Sequence, residues 1–208
     1  MKERGMIFNG EMVRAILDGR KTQTRRPLKW KQTRFTEIGE REDGSRWPWS
    51  EDAERVCDFW HPCPFGAVGD RIWVRETWAE AGAGAPDLKL YRANYPDHVP
   101  THYENVPKAE DVRWTPSIHM PRWASRLTLE ITGVRVERLR SISQADAIAE
   151  GAPPSHPSID AVSRDYGYPD FSRSWYGQTW QSIYGEESWN ANPWVWVIEF
   201  KRVEGAAA

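Results

Sequence analysis

The feature that most limits the possible folds is a long segment in which apolar and polar residues alternate. In the stretch ASRLTLEITGVRVERL, Leu127, Leu129 and Ile131 fall on one face, and the alternation resumes after Gly133. A period of two is typical of a β-strand with one buried face, and a glycine inside it indicates a bulge or bend. The segment NPWVWVIEFKRV predicts a second strong strand near the end of the chain.

Shorter elements lie between the amino terminus and these strands. Residues 6–8 and 71–78 predict further strands, and Asn9 and Ser143 are placed to cap helices that end at Gly19 and Gly151. Residues 175–184 predict another helix. Because the strands are separated by short helices without a βαβ rhythm, we predict an α+β fold, mainly β, built on a small mixed barrel.

The length and composition predict one folded domain over residues 1–208. The mean hydropathy of −0.73 is low, but the 13 Trp residues offer enough ring area for a core. Residues 29–64, 79–115 and 152–172 lack a clear period and are predicted to be loop-like insertions, the second of them alternatively a pair of weak strands.

No apolar segment approaches the roughly 20 residues of a membrane span, and the first residues do not resemble a signal peptide. Two cysteines do not form a disulfide framework. We therefore expect a cytoplasmic protein with no membrane partner.

Positive charge is concentrated near the amino terminus. Residues 1–35 hold ten Lys and Arg against three Asp and Glu, although the whole chain has a net charge of −2. Arg20, Lys21, Arg25 and Arg26 begin where the first helix ends at Gly19. Such an asymmetry predicts a site for an anionic or nucleotide-like ligand.

Several motifs together resemble one family. GRKTQTRR, GDRIWVRETW, ISQADAIAEG and NPWVWVIEF occur in the order found in the ASCH-domain family, and HMPRWASR resembles its longer phage and prophage members. The signature G-x-K-x-x-T-x-R is matched by Gly19, Lys21, Thr24 and Arg26. The resemblance implies a PUA-like barrel with a cleft for RNA or modified nucleosides.

The resemblance also implies two possible activities. Some small relatives look like amide hydrolases that act on acetylated cytidine with a Thr, a Lys and a Glu, and others look like ribonucleases. Carried over, the hydrolase triad becomes Lys21, Thr24 and Glu76. No metal or cofactor is implied.

The chemistry of this triad sets conditions on its geometry. A threonine hydroxyl needs a base to take its proton, and a lysine amine acts as that base only if burial or nearby cations lower its pKa. The neighbouring arginines act in that direction, whereas a paired Glu76 would oppose them. Lys21 and Thr24 are three residues apart, so they converge on a helical turn but not on a strand.

Binding without catalysis is the favoured interpretation, and simpler roles stay open. The basic residues could instead pair with the acidic insertion, and Glu76 could be the buried partner of an arginine. Trp78 and Trp123 could stack on a base or simply pack. The residues predicted to bind a nucleic acid or nucleoside are Arg20, Arg25, Arg26, Arg75, Trp78, Arg122, Trp123, Ser125 and Arg126.

Two further hypotheses concern the segment 29–64. Cys57, His61 and Cys63 could be considered as zinc ligands, but their spacing is not a usual one, and we predict no metal site. The acidic, Trp-rich composition of this segment could serve a protein partner, which would make the chain a phage-borne interaction module.

Overall fold

A computed structural model describes residues 1–29, 36–52, 57–167 and 170–203. The fold is mixed, with mostly strands and five α-helices among these residues. The strands are β1 (Glu3–Ile7), β2 (Gln23–Pro27), β3 (Thr36–Glu40), β4 (Arg46–Asp52), β5 (Cys57–Trp60), β6 (Arg71–Arg75), β7 (Trp78–Glu80), β8 (Lys89–Tyr91), β9 (Thr128–Arg138) and β10 (Trp194–Arg202). The helices are α1 (Gly10–Leu17), α2 (Gln144–Ala149), α3 (Pro157–Asp165), α4 (Phe171–Tyr184) and α5 (Glu186–Asn190).

The chain divides into two compact units, each assembled from separate segments. The first unit contains residues 1–19, 70–130 and 201–203 of the described chain, and the second contains the described parts of 20–69 and 131–200. Strand β9 passes from the first unit into the second after Glu130.

In the first unit, β1 pairs in parallel with β6, and β6 pairs antiparallel with the start of β9. Helix α1 forms because Asn9 Oδ1 accepts a hydrogen bond of 2.8 Å from the Met12 amide, while Val13 and Ile16 are buried. Gly19 ends this helix region with a φ of +74°, which favours glycine. Strands β7 and β8 form an antiparallel pair beside a small core that includes Trp78, Tyr91, Met120 and Ala124.

In the second unit, β10 lies next to β9 and pairs antiparallel with β2. Helices α2 and α4 pack near these strands, around a buried cluster that includes Leu139, Tyr176, Trp180, Val195 and Val197. Strands β3, β4 and β5 form a separate antiparallel sheet.

Much of the predicted local structure is confirmed. Strands β9 and β10 are present, α2 has the predicted capping box of Ser143 and Asp146, and α4 ends at Gly185. The pair of short strands predicted as one alternative within 79–115 corresponds to β7 and β8. The strand predicted over residues 71–78 is divided into β6 and the start of β7.

Two predicted loops are wrong. Within 29–64, the described residues form β3, β4 and β5, which are stabilised by hydrogen bonds between the strands. These strands were not predicted because their sequences have no clear period. Within 152–172, α3 forms because the His156 side chain accepts a hydrogen bond from the Ser158 amide and Pro157 occupies the first turn.

The strands described here form sheets of five, three and two members, and their pairing order does not close into a barrel. The barrel therefore stays a prediction.

Sterics explain why residue 133 is a glycine, because a Cβ there would lie 2.7 Å from Glu199 Oε2. Among the described residues, every helix is too short or too polar to cross a bilayer.

Candidate functional site

The basic segment after α1 is extended, not a turn. The Thr22 amide donates to the Ala149 carbonyl and the Thr22 carbonyl accepts from the Phe200 amide, after which β2 begins at Gln23. Successive side chains of an extended chain point to opposite faces. Lys21 and Arg25 both contact Glu150, and Gln23 accepts a hydrogen bond from Arg135, which pairs with neighbouring carboxylates, so these alternate positions face one group of residues.

Lys21 is one of two cations of this group whose side chains are fully buried, the other being Arg25. Its ammonium group has no solvent exposure and donates to Glu150 Oε2 at 2.7 Å and to the Glu150 carbonyl at 2.8 Å. Glu150 is the C-cap residue of α2, so the helix fixes where this carboxylate lies. A buried charge needs such a partner, and here the pair is direct.

Arg25 shares the same carboxylate. One of its terminal nitrogens lies 3.3 Å from Glu150 Oε1, and the other lies 3.0 Å from Glu137 Oε2 and 3.3 Å from Asp146 Oδ2. Arg135 contacts Glu137 and Asp146 as well, and donates to Gln23 Oε1 at 3.2 Å. We call these residues the Lys21 cluster: Lys21, Gln23, Arg25, Arg135, Glu137, Asp146 and Glu150.

Two buried donors of the Lys21 cluster are unused. Gln23 Nε2 and Arg25 Nε are shielded from solvent and have no hydrogen-bond partner in the part of the chain that the structure describes. Buried polar groups in native proteins are nearly always paired, so an unpaired donor calls for an explanation.

Burial lowers the pKa of Lys21, and the nearby positive charges of Arg26 and Arg25 act in the same direction. The Glu150 carboxylate opposes them. The pKa of Lys21 is thus shifted in the direction that a role as a base requires. The opposing carboxylate is supplied by Glu150, whereas the predicted partner was Glu76.

Thr24 is buried in β2, opposite Ile198 of β10. The pleat directs its side chain to the face opposite that of Gln23 and Arg25. The helical turn that would bring Lys21 and Thr24 together is therefore not the observed backbone.

Glu76 lies in the first unit and pairs with an arginine. Its two oxygens each accept a hydrogen bond of 2.9 Å from Arg126, which also donates to Asn94 Oδ1 at 2.9 Å. The Arg126 guanidinium stacks 4.0 Å from the centre of the Tyr91 ring, and burial raises the pKa of Tyr91 to about 12. The alternative role predicted for Glu76 is confirmed, and the catalytic triad stays a prediction.

The other predicted binding residues have varied surroundings. In the first unit, Arg75 donates to the Ile118 carbonyl, Ser125 Oγ donates to the Val74 carbonyl at 2.8 Å, and Arg122 pairs with Glu3 at 2.8 Å. In the second, Arg20 donates to the Gly151 carbonyl at 2.9 Å, and Arg26 lies 3.5 Å from the Tyr184 hydroxyl.

The two tryptophans differ in exposure. Trp123 is 60% exposed, whereas Trp78 is buried and meets it edge to face at 5.3 Å. Trp78 therefore packs inside the first unit, and its indole N–H has no hydrogen-bond partner among the described residues. Much of the Trp123 ring is exposed, as stacking on a base requires, and Lys89 Nζ lies 5.7 Å from the ring centre.

The zinc alternative falls partly outside the described residues, which do not include the Cys57 side chain. His61 Nε2 lies 2.8 Å from Ser50 Oγ, and Cys63 is buried. Among the described residues, no group of three or more potential metal ligands is found.

The Trp-rich segment packs partly on itself. Arg41 lies 4.1 Å from the centre of the Trp47 ring and 5.3 Å from that of Trp60, and Trp47 contacts Trp196. Phe59 is 51% exposed. The protein partner predicted for this segment stays a prediction.

Sequence reasoning missed the other members of the site, which are Gln23, Arg135, Glu137, Asp146 and Glu150. One available signal was the alternation of Lys21, Gln23 and Arg25, which places their side chains on one face. The other was the carboxylate of Glu150 immediately before the glycine that ends a well-capped helix. The pairing of these two segments is a long-range contact that no local pattern contains.

Comparisons with known proteins found no similar protein. No family model, no curated protein and no solved structure matches the chain.

Proposed function

We propose that the second unit binds a modified nucleoside through the Lys21 cluster, and that the chain is an ASCH-type protein with a PUA-like barrel. The observation that carries the proposal is the pair of unused buried donors, Gln23 Nε2 and Arg25 Nε, beside a buried ion pair. An unpaired buried donor costs roughly 1–3 kcal/mol, which an acceptor on a ligand would recover. Nucleobases present carbonyl and ring-nitrogen acceptors of this kind.

The charges favour a nucleoside over RNA. Binding to a phosphate backbone depends on Lys and Arg whose charge is not already compensated. Lys21 and Arg25 instead contact three carboxylates, those of Glu137, Asp146 and Glu150. A neutral ligand rich in acceptors therefore matches the Lys21 cluster better than a polyanion does.

Hydrolysis of an acylated nucleoside is the second candidate, and the lowered pKa of Lys21 favours it. A larger neutral fraction of the amine makes it a better base at physiological pH. Because Thr24 points to the other face of β2, the role of its hydroxyl as nucleophile is the part of this candidate that most needs a test.

The binding proposal is tested by titrating the native chain with cytidine, acetylated cytidine and a short RNA in a calorimeter. The Gln23→Leu variant removes one unused donor and keeps the side-chain size, so we expect nucleoside affinity to fall about tenfold. Gln144→Leu, an exposed amide of the same unit, is the matched control and should bind like the native chain.

Two results would contradict the binding proposal. One is saturable binding of RNA that weakens steeply with salt while nucleosides do not bind, which would make the site an electrostatic RNA surface. The other is equal nucleoside affinity in Gln23→Leu and the native chain.

The hydrolysis candidate is tested by incubating the protein with acetylated cytidine and separating the products by chromatography. Lys21→Met should abolish turnover, because no base remains. Turnover that survives in Thr24→Ala would exclude Thr24 as the nucleophile, and turnover retained only in Thr24→Ser would support it. No product from the native chain would leave binding as the function.

A further inference from the structure

We propose that the second unit contains a separate site for a small phosphate monoester, in a groove between α4 and the short helix Leu139–Ser141. The groove has a volume of about 320 Å³, which suits a small organic molecule. Its polar lining consists of Arg140, Arg173, Ser174, Gln178 and Gln181. None of these residues belongs to the Lys21 cluster.

The groove has a rigid frame. Its α4 residues are spaced three to four apart along the helix, so they project to one side. At the base, Gly177 lets the Trp189 indole approach, since a Cβ there would lie 3.1 Å from Trp189 Cζ2. On the opposite wall, the Arg140 amide donates to Asn192 Oδ1 at 2.8 Å, which fixes the backbone that carries this side chain.

The groove is lined by two positively charged side chains, of which only Arg173 has a described carboxylate partner, Asp170. No carboxylate is among its lining residues. The Arg140 side chain is exposed and has no hydrogen bond or ion pair to the described residues. Arg173 uses its Nε to contact Asp170 at 2.6 Å, and its two terminal nitrogens have no described partner. Donors from two guanidinium groups therefore remain for an anion.

The hydrogen-bond donors of the groove indicate which class of ligand it can bind. A guanidinium matches the oxygens of a phosphate in shape as well as charge, and two of them suit a group with a charge near −2. The carboxamides of Gln178 and Gln181 provide both donors and acceptors, which suits a neutral polar remainder such as a sugar or a nucleoside. The shared chemistry is a phosphate monoester, from a mononucleotide or from a sugar phosphate.

Calorimetric titration of the native chain tests this site with inorganic phosphate, ribose 5-phosphate, uridine 5′-monophosphate and uridine as probes. We expect saturable binding of the phosphorylated probes that weakens with added salt. If uridine 5′-monophosphate binds more tightly than ribose 5-phosphate, the ligand is a nucleotide, and equal affinities identify a sugar phosphate. The absence of saturable binding by all phosphorylated probes would overturn the proposal.

Two variants locate the binding. Arg140→Gln should weaken phosphate-monoester affinity at least about tenfold, because a charged hydrogen-bonding partner is lost. Gln178→Glu should weaken it similarly by adding a negative charge at constant size. Arg164→Gln, which removes an exposed arginine of α3, is the matched control and should bind like the native chain. Native-like affinity in both groove variants would overturn the proposal.

The groove and the Lys21 cluster can be tested independently. Gln23→Leu should leave phosphate binding unchanged, and Arg140→Gln should leave the affinity for uncharged nucleosides unchanged. Loss of one activity without the other therefore shows which of the two proposals fails.

Discussion

Each unit buries a carboxylate against a cation, but the two arrangements differ in how completely their donors are used. Glu76 accepts one hydrogen bond of 2.9 Å at each oxygen from Arg126, and Asn94 occupies a further Arg126 donor. Glu150 is shared by Lys21 and Arg25, and buried donors nearby have no described partner. The Glu76–Arg126 pair has no buried donor without a described partner, as a stable core requires, whereas the Lys21 cluster leaves buried donors that a ligand can use.

The largest expected effect is the loss of either carboxylate. Glu150→Gln and Glu76→Gln should each lower the free energy of unfolding by about 3–5 kcal/mol at neutral pH, because each leaves a cation buried without its partner. Glu150→Gln should be the more harmful, since Lys21 and Arg25 both depend on this carboxylate. Urea unfolding measures both.

Glu130→Gln is the control for these variants, because Glu130 pairs with an exposed lysine, Lys201. It should cost less than about 1 kcal/mol. If Glu150→Gln costs no more than this control, the Lys21 cluster is not the buried ion network that its geometry indicates.

The next largest difference between the two variants, Glu150→Gln and Glu76→Gln, should be the pH dependence of their stability. The folded-state pKa of Lys21 is lowered from 10.5, so between the two values the unfolded chain binds more protons and stability rises with pH. Glu150 opposes this lowering, so Glu150→Gln should lower the folded-state pKa of Lys21 further. The pH range in which stability rises then extends closer to neutral pH. The destabilisation by Glu150→Gln should therefore shrink as pH rises.

Glu76→Gln should show no such recovery, because the partner of Glu76 is an arginine, a residue type that is not deprotonated in proteins. Urea unfolding of the native chain and both variants, from neutral pH to about 9, checks this, because the unperturbed tyrosine pKa of about 10 lies above that interval. Parallel pH profiles for the two variants would contradict the lowered pKa of Lys21.

A smaller difference is expected for two amides, one in each arrangement. Asn94→Leu leaves an Arg126 donor unpaired and should cost roughly 1–3 kcal/mol. Gln23→Leu removes a donor that is already unpaired, and Arg135 keeps its carboxylate partners, so the cost should be below about 1 kcal/mol. Thermal unfolding without ligand compares them, and equal costs would mean that Gln23 is a structural residue.

A small effect is also expected at an exposed pair in the first unit. Arg122 and Glu3 are joined by hydrogen bonds of 2.8 and 3.0 Å, but both side chains are more than one third exposed. Arg122→Ala should cost at most about 1 kcal/mol, and less at high salt. A larger cost would show that geometry outweighs burial in this protein.

Local signals predicted the elements that depend on local physics. Asn9 and Ser143 cap helices because their side chains reach backbone amides three residues ahead. The alternation in β9 identified a strand because one face is buried. Strands β3, β4 and β5 were missed because their pairing stabilises short segments without a clear period.

The same division applies to the candidate site. The sequence alone identified Lys21 and Arg25 as unusual charges and required burial to lower the pKa of Lys21. It could not identify Glu150 as the partner, because 129 residues separate the two side chains. Only the tertiary structure brings α2 to the start of β2, and it also assigns Glu76 to Arg126.

What the sequence determined, therefore, is which groups carry charge and which short segments become helix or strand, since both depend on neighbouring residues. What only the tertiary structure decided is which charges meet and which donors stay unpaired. Coulomb attraction and hydrogen bonding act over a few ångströms of space without regard to sequence separation. The strand alternation that turns Thr24 away from Lys21 is local, but the buried environment that makes Lys21 unusual is created by the folded chain.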